Sequence, residues 1–271
     1  MSKVKALFLA VSMVPFALGA QNLIKNGDAE ANIDNWPPVL VQIVTDNPHS
    51  GKSCFKNTQP TIISPDIIPV DGTKTYKYSG WFKSADDKAA IFYFGLMPLD
   101  ANKVQIIARE VNLIEGTETE LAEDCKAEDT VLKAKDASKW KLSDKTDRIA
   151  FNILPDYKDL PNRNISPVVN KTENKNNVWE LTLDNPCGKA YPAGTKIRQH
   201  KDSSSYMYSS FNEKFQSAAW VEFPGEIKGT AKSGAGGTQF WPGTKYVQVV
   251  ILALPPGGKI YFDDLKLEEQ K

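Results

Sequence analysis

The sequence predicts an all-β sandwich interrupted by a small inserted β subdomain. Three observations predict it. Helical periodicity is nearly absent, and short alternating segments bounded by Gly, Pro, Asn and Asp recur instead. The middle of the chain is more polar and carries a strand pattern of its own. After it, the earlier patterning resumes.

The elements follow in order. Residues 1–20 read as a secretory signal: Lys3 and Lys5 precede the apolar "ALFLAVSMVPFALGA", which closes on small residues. That run is short for a membrane span and polar "QNLIKNGD" follows it, so an exported chain without a span is expected, secreted, periplasmic or at the cell surface. "NLIKNGDAEANIDNW" opens on turn chemistry, because Gly27 tolerates positive φ while Asn26 and Asp28 bond their own backbone. "TYKYSGWFK" alternates Tyr76, Tyr78, Gly80 and Phe82 against Lys77, Ser79, Trp81 and Lys83. "AIFYFGLMPLD" reads as a near-continuous apolar strand ended by Pro98 and Asp100. "KYVQVVILAL" and "KIYFDDLKL" are strands joined by a "PPGG" turn. The one helix-like stretch, "ETELAEDCKAED", fits a single exposed turn or a loop equally well.

Residues 117–200 form the predicted insert. Strands are expected in "AEDTVLKAKDASKW", "DRIAFNIL", "SPVVN", "NVWELTLD" and "AYPAGTKIRQH", with "PDYKDLPNRN" and "NKTENKNN" between them. Residues 21–116 and 201–271 remain, about 165 residues, near the size of one sandwich domain. Insertions succeed where the ends of a surface loop lie close together.

Composition narrows the function classes. Without Lys3 and Lys5 the chain has 31 basic against 33 acidic residues, a charge near −2. Nucleic acid calls for a concentrated basic face and is not expected as a partner. Of the three cysteines, Cys54 reads as a small buried hydrophobe. Cys125 and Cys187 are placed to staple the neck or base of the insert by a disulfide, with unpaired thiols as the alternative. Their spacings match no zinc pattern, and His49 and His200 are too scattered to complete one. No G-x-S-x-G elbow is present; His49 lies in a turn, and His200 reads as the solvated exit from the insert. "SGAGG" at 233–237 lacks the Gly-Lys-Ser/Thr of a phosphate cradle.

Aromatic side chains are the candidates for binding, since they stack on sugar rings while polar groups bond the hydroxyls. Tyr206 and Tyr208 share a strand face in serine-rich surroundings, and Trp241 sits in the turn-rich "FWPGT". Core packing is the alternative for each of the three. Trp36, Trp81 and Trp220 are expected in the core.

"NLIKNGDAE" with Trp36, "HSGKSCFKN", "TYKYSGWFKS" and "IYFDDLKLE" together resemble a carbohydrate-binding module of the galactose-binding-like jelly-roll type, as attached to xylanases and cellulases. The insert more weakly resembles short β units of bacteriophage tail and bacterial surface proteins, through "AEDTVLKAKDASKW" and "LTLDNPCGKAYPAGTKI". The resemblance implies that the N-terminal turn and the last strand meet at one sheet edge and share a structural calcium. The implied ligands are the Asp28 backbone, the Glu30 carboxylate, backbone oxygens around Ser50 and Lys52, and the Asp263 carboxylate; calcium takes six to eight such oxygens. A capped turn with solvated acids is the alternative. The implied function is non-catalytic binding of a polysaccharide or glycan surface. Rival expectations are a structural or adhesion module without a sugar ligand, and a small glycan-active enzyme, which needs only two suitably placed carboxylates.

Overall fold

The computed structural model describes residues 21–270 except 32, 34, 35, 144, 174–176 and 255–257, and leaves out the side chains of 209 and 210. The signal-peptide expectation and most of the "PPGG" turn therefore lie outside the described residues. The first arm supplies β1 (Val41–Val44), β2 (Cys54–Asn57), β3 (Thr61–Ile63), β4 (Ile68–Pro69), β5 (Thr75–Ser84) and β6 (Ala90–Leu99). A single helical turn, α1 (Ala108–Val111), leads to the middle segment. There lie β7 (Thr119–Glu120), β8 (Val131–Lys135), β9 (Asp147–Phe151), β10 (Ile165–Glu173), β11 (Val178–Leu183) and β12 (Lys196–Lys201). The second arm supplies β13 (Met207–Phe215), β14 (Val221–Lys228), β15 (Tyr246–Leu254) and β16 (Ile260–Gln270).

The two arms make a sandwich. One sheet runs β1-β2-β16-β5-β14, the other β13-β6-β15-β3 with β4 also on β15, and all named pairings are antiparallel. Successive strand residues point to opposite faces. Phe92, Phe94 and Leu96 of β6 thus meet Tyr76, Tyr78 and Phe82 of β5 in one buried core, with Val247, Val249 and Ile251 of β15 and Phe262 and Leu267 of β16. Fully burying such a side chain is worth roughly 1.5–3 kcal/mol.

The chain's two ends share an edge of this sandwich. Asn22 bridges Glu268, Leu23 N–H donates to the Leu267 carbonyl, and Leu265 N–H donates to the Gly27 carbonyl. A Cβ at Gly27 would stand 2.2 Å from the Leu265 carbonyl oxygen, so only glycine lets the turn lie this close. Trp36 anchors the turn from inside, packed on Phe55 and Phe262 with its indole N–H on the Asn26 carbonyl.

The middle strands form a separate sheet, β7-β12-β9-β10-β11-β8. A Leu121–Ala134 bridge links the β7 end to β8, closing the sheet toward a small barrel. Its own core gathers Leu121, Leu132, Trp140, Phe151, Leu181 and Ile197. The acidic "ETELAEDCKAED" contributes β7 and turns rather than a helix. The expected Cys125–Cys187 bridge is not formed. Both are free, buried thiols inside the barrel core rather than at the neck, and burial followed by the Cys187 hydrogen bond pushes the Cys125 thiol up to about 12. The neck lies instead where Ile114 N–H meets the Gln199 carbonyl and Gln199 N–H meets the Thr117 hydroxyl.

The barrel is pinned to the sandwich by more than its two crossings. Arg163, from the loop after the 3-10 turn at Pro155–Tyr157, pairs with Asp100 at 2.7 Å and Glu110 at 3.5 Å. Asn162 N–H donates to the Glu110 carbonyl. His200, expected in solvent, is fully buried at this seam. Its place on β12 opposite β9 and against α1 leaves no path to water.

Candidate functional site

The structure brings the N-terminal turn, the 49–53 turn and the last strand together. Glu30 Oε1 accepts the Lys52 and Ser53 N–H groups at 2.7 and 2.9 Å, and these bonds hold its carboxyl below the usual range. Asp263 Oδ2 accepts His49 and Ser50 N–H at 2.9 and 3.3 Å, while Oδ1 accepts Asp264 N–H. Asp263 is fully buried, and that burial pushes its carboxyl up to about 6, with the neighbouring Asp264 charge adding to the shift. The largest influences that lower it are the Asp264, Ser50 and His49 backbone N–H groups. The Asp28 carboxylate accepts Glu30 N–H at 3.4 Å in a local turn.

These residues were expected as calcium ligands. Among the described residues no three His, Cys, Asp or Glu side chains cluster as a metal site. The donor set fits calcium in one respect: Glu30 and Asp263 grip one turn, and Asp263 is a fully buried carboxylate with Asp264 beside it. In another respect it differs, because the turn meets both carboxylates through N–H groups rather than carbonyl oxygens.

Beside this cluster His49 Nδ1 lies 2.7 Å from Asp264 Oδ2, and its ring stacks on Trp81 at 4.0 Å with Trp220 edge-on. Trp81 and Trp220, expected in the core, are half-buried outside it; Trp36 alone of the three is buried. Ser50 Oγ donates to Asp264 Oδ1 at 3.1 Å.

The aromatic candidates divide. Trp241 is fully buried in the sandwich core, so its expected ligand role is corrected. Tyr206 and Tyr208 lie on the outer face of the second sheet, partly exposed. Met207 between them points inward, paired with Leu96, and Tyr208 lies opposite Gly95. A Cβ at Gly95 would meet the Met207 carbonyl oxygen at 2.0 Å, so the glycine lets β13 seat closely on β6.

Two rings missed in the sequence extend this pair. Tyr93 stacks on Phe211 at 4.6 Å and packs against Tyr208 at 4.6 Å, while Tyr208 meets Tyr206 at 5.8 Å. The result is a strip of four rings: Phe211, Tyr93, Tyr208 and Tyr206. Beneath and beside it lie Met97, Leu99, Val250 and Leu252, flanked by Tyr246 and Leu254. Phe211 is 49% exposed. Burial raises the Tyr208 hydroxyl pKa, so this group stays protonated and able to donate.

The run "AIFYFGLMPLD" hid Tyr93 because both faces of β6 are apolar, and alternation is invisible where both are. A cleft of about 560 Å³ at one end of the barrel, lined by Ile153, Leu154 and Pro155, is separate from the strip. Its Glu120 is taken up by Lys135 and Lys196, which hold the carboxyl at about 2.

No protein-family profile and no curated protein matches the chain. Solved structures similar to it include a family 16 carbohydrate-binding module, at 12% identity and TM-score 0.37, covering 91% of this chain and 99% of that one. The CBM22-1 xylan-binding domain of Paenibacillus barcinonensis Xyn10C matches at 8% identity and TM-score 0.34, over 85% of this chain and 81% of that one. The module TmCBM61, in complex with β-1,4-galactotriose, matches at 10% identity and TM-score 0.33, over 93% and 100%. Scores this low carry no argument for a ligand, and the sandwich stands on its own strand pairing.

Proposed function

We propose that this chain is an exported, non-catalytic glycan-binding protein whose ligand lies along the ring strip of the second sheet. The observation that carries the reading is the strip itself: four contiguous aromatic side chains, partly exposed, on the outer face of the second sheet. Sugar rings offer apolar faces that such rings cover, and the Tyr208 hydroxyl, bonded to Ser204 at the edge of the strip, offers a polar group beside them. Binding of this kind needs no proton transfer, only a preformed surface.

Xylan and β-1,4-galactan, two β-linked polysaccharides whose rings present apolar faces, are the first probes. Joint replacement of Tyr206 and Phe211 by alanine removes the two ends of the strip. Two stacking contacts at roughly 1 kcal/mol each predict about thirty-fold weaker binding with little change in melting temperature. A glycan array on which the wild-type protein stays silent, while it captures a protein partner, would favour the adhesion reading instead.

We further propose that calcium serves the Glu30–Asp263 corner as a structural ion. The support is the fully buried Asp263 carboxylate, which shares the 49–53 turn with Glu30 and has Asp264 beside it. When bound, the ion would set a positive charge against the carboxylates, and Glu30, Asp263 and the 49–53 turn would hold it. An ion that binds only the folded state raises the melting temperature with its concentration. Chelator should therefore lower the melting temperature, and Glu30→Gln should remove most of the difference. Identical melting curves with and without chelator, after verified metal removal, would end the calcium proposal.

A further inference from the structure

The outer face of the other sheet carries a trench that the strip does not use. The register across β14, β5 and β16 sets Pro224, Ser79 and Lys266 in one row and Glu226, Lys77 and Glu268 in the next. Alternation turns these side chains outward, because Tyr78 and Leu267 between them, and Ile227 just after Glu226, point into the core. Ser79 is the small residue at the centre, and the space around it is a trench of about 530 Å³. That volume falls in the roughly 300–1,000 Å³ range of small-molecule sites.

The next row sets Glu222 opposite Trp81, so an indole follows the trench on β5. Trp220, also half-buried, immediately precedes β14. Both indoles meet the His49 ring, at 4.0 and 5.6 Å, which fixes this aromatic group at one end of the face.

The charges around the trench select the ligand class. Lys77 and Lys266 stand among Glu222, Glu226 and Glu268. A polyanion would face three carboxylates, and a polycation two ammonium groups. An uncharged polyhydroxylated chain meets a donor or an acceptor at every step, because each hydroxyl can both give and take a hydrogen bond. An aromatic group at the end of such a trench suits a sugar ring and is of no use to a small inorganic ion.

We infer that this trench is a second glycan subsite, which takes a short uncharged oligosaccharide segment with one ring toward the Trp81–Trp220 end. The inference rests on the glycan reading for its ligand class and is independent of the strip. The two sheets of a sandwich turn their outer faces in opposite directions. One molecule with a site on each would bridge two glycan chains rather than coat one.

Calorimetric titration with β-1,4-xylohexaose and β-1,4-galactohexaose tests this. The wild-type protein should bind two ligands per chain and cross-link soluble polysaccharide into a turbid suspension. Ser79→Arg, which fills the trench floor, and separately Trp220→Ala should each lower the stoichiometry to one and abolish cross-linking. Two variants guard against a misfolded one, and a retained cooperative melt qualifies each. The Tyr206/Phe211 double variant should also leave one site, the other one. A wild-type stoichiometry of one, unchanged in both trench variants, overturns the subsite and leaves the strip standing. Loss of all binding in the trench variants with none in the strip variant would overturn the strip instead. Absence of binding to either probe overturns both.

Discussion

Trp241→Ala should lower the folding stability by about 3–5 kcal/mol, the range for removing a large aromatic from a core. Trp241 is fully buried among the sandwich core residues, next to Phe240, which packs edge-on against Tyr76. Its indole N–H donates to the Gly236 carbonyl at 2.8 Å, and its own carbonyl accepts from Thr244 N–H and Oγ1. Alanine would leave a cavity and take the indole donor from Gly236. Domains of this kind have only about 5–15 kcal/mol of stability in total, so the change is a large fraction of it. Urea unfolding measures the loss directly. Glycan affinity of the protein that remains folded should be unchanged, because the ring does not reach the strip. A variant with wild-type unfolding and weakened glycan binding would return Trp241 to the ligand role.

The same residue shows where the sequence stops being readable. "FWPGT" has the composition of an exposed turn, and a turn it is, but one whose aromatic residues fold back under the sandwich. Alternation identifies the faces of a strand only where one face is polar. It sorted β5 well, with Tyr76, Tyr78 and Phe82 inside and Lys77 and Ser79 outside. In β6 and β15 it could not, because apolar residues cover both faces and the outer one becomes the floor of the strip. The meeting of the chain ends came only through the resemblance carried by "NLIKNGDAE" and "IYFDDLKLE", because a turn and a strand at opposite ends of the chain do not by themselves name each other as partners. Tyr206 and Tyr208 were legible from their spacing, whereas Phe211 sits beyond a register shift that spacing cannot foresee. His200 was misread because "QHKDSSS" is polar in sequence, yet its imidazole is held at a seam that exists only once the barrel has docked.

That seam predicts how acid acts on the protein. The Nδ1 of His200 lies 2.8 Å from the Arg109 carbonyl, and Nε2 faces the Arg198 Nε and Nη2 at 3.1 and 3.0 Å. A carbonyl can only accept and a guanidinium can only donate, so the ring is neutral, with its proton on Nδ1. Arg198 is itself fully buried and paired with Asp159 at 2.8 Å. From β9, Arg148 lies opposite His200, paired with Asp202, which also holds Arg109.

Burial first, and then the Arg198 charge, push the His200 pKa down from 6.5 to about 4. The folded state thus resists protonation more than the unfolded chain does. Stability from this group is complete above pH 6.5 and is lost as pH falls through 4, by about 3 kcal/mol at 1.36 kcal/mol per unit. Asp263 acts with the opposite sign. Its folded pKa, about 6, lies above the ordinary 3.8, so acidification through that window favours the folded state by a similar amount.

In a global melting curve the two effects oppose each other, and local measurement separates them. Hydrogen exchange between pH 7 and 4.5, corrected for intrinsic rates, should quicken at the Ile114 and Lys201 amides, which bond across the seam to Gln199 and Asn112. The His49 and Ser50 amides, which bond to Asp263, should hold or slow. Bound calcium would reverse the second trend by favouring the ionised carboxylate, which gives the corner an independent check. His200→Gln, neutral at every pH, should abolish the acid response at Lys201 while leaving that at His49 intact. Exchange at Lys201 that is indifferent to pH in the wild-type protein would mean that the imidazole is not held neutral at the seam.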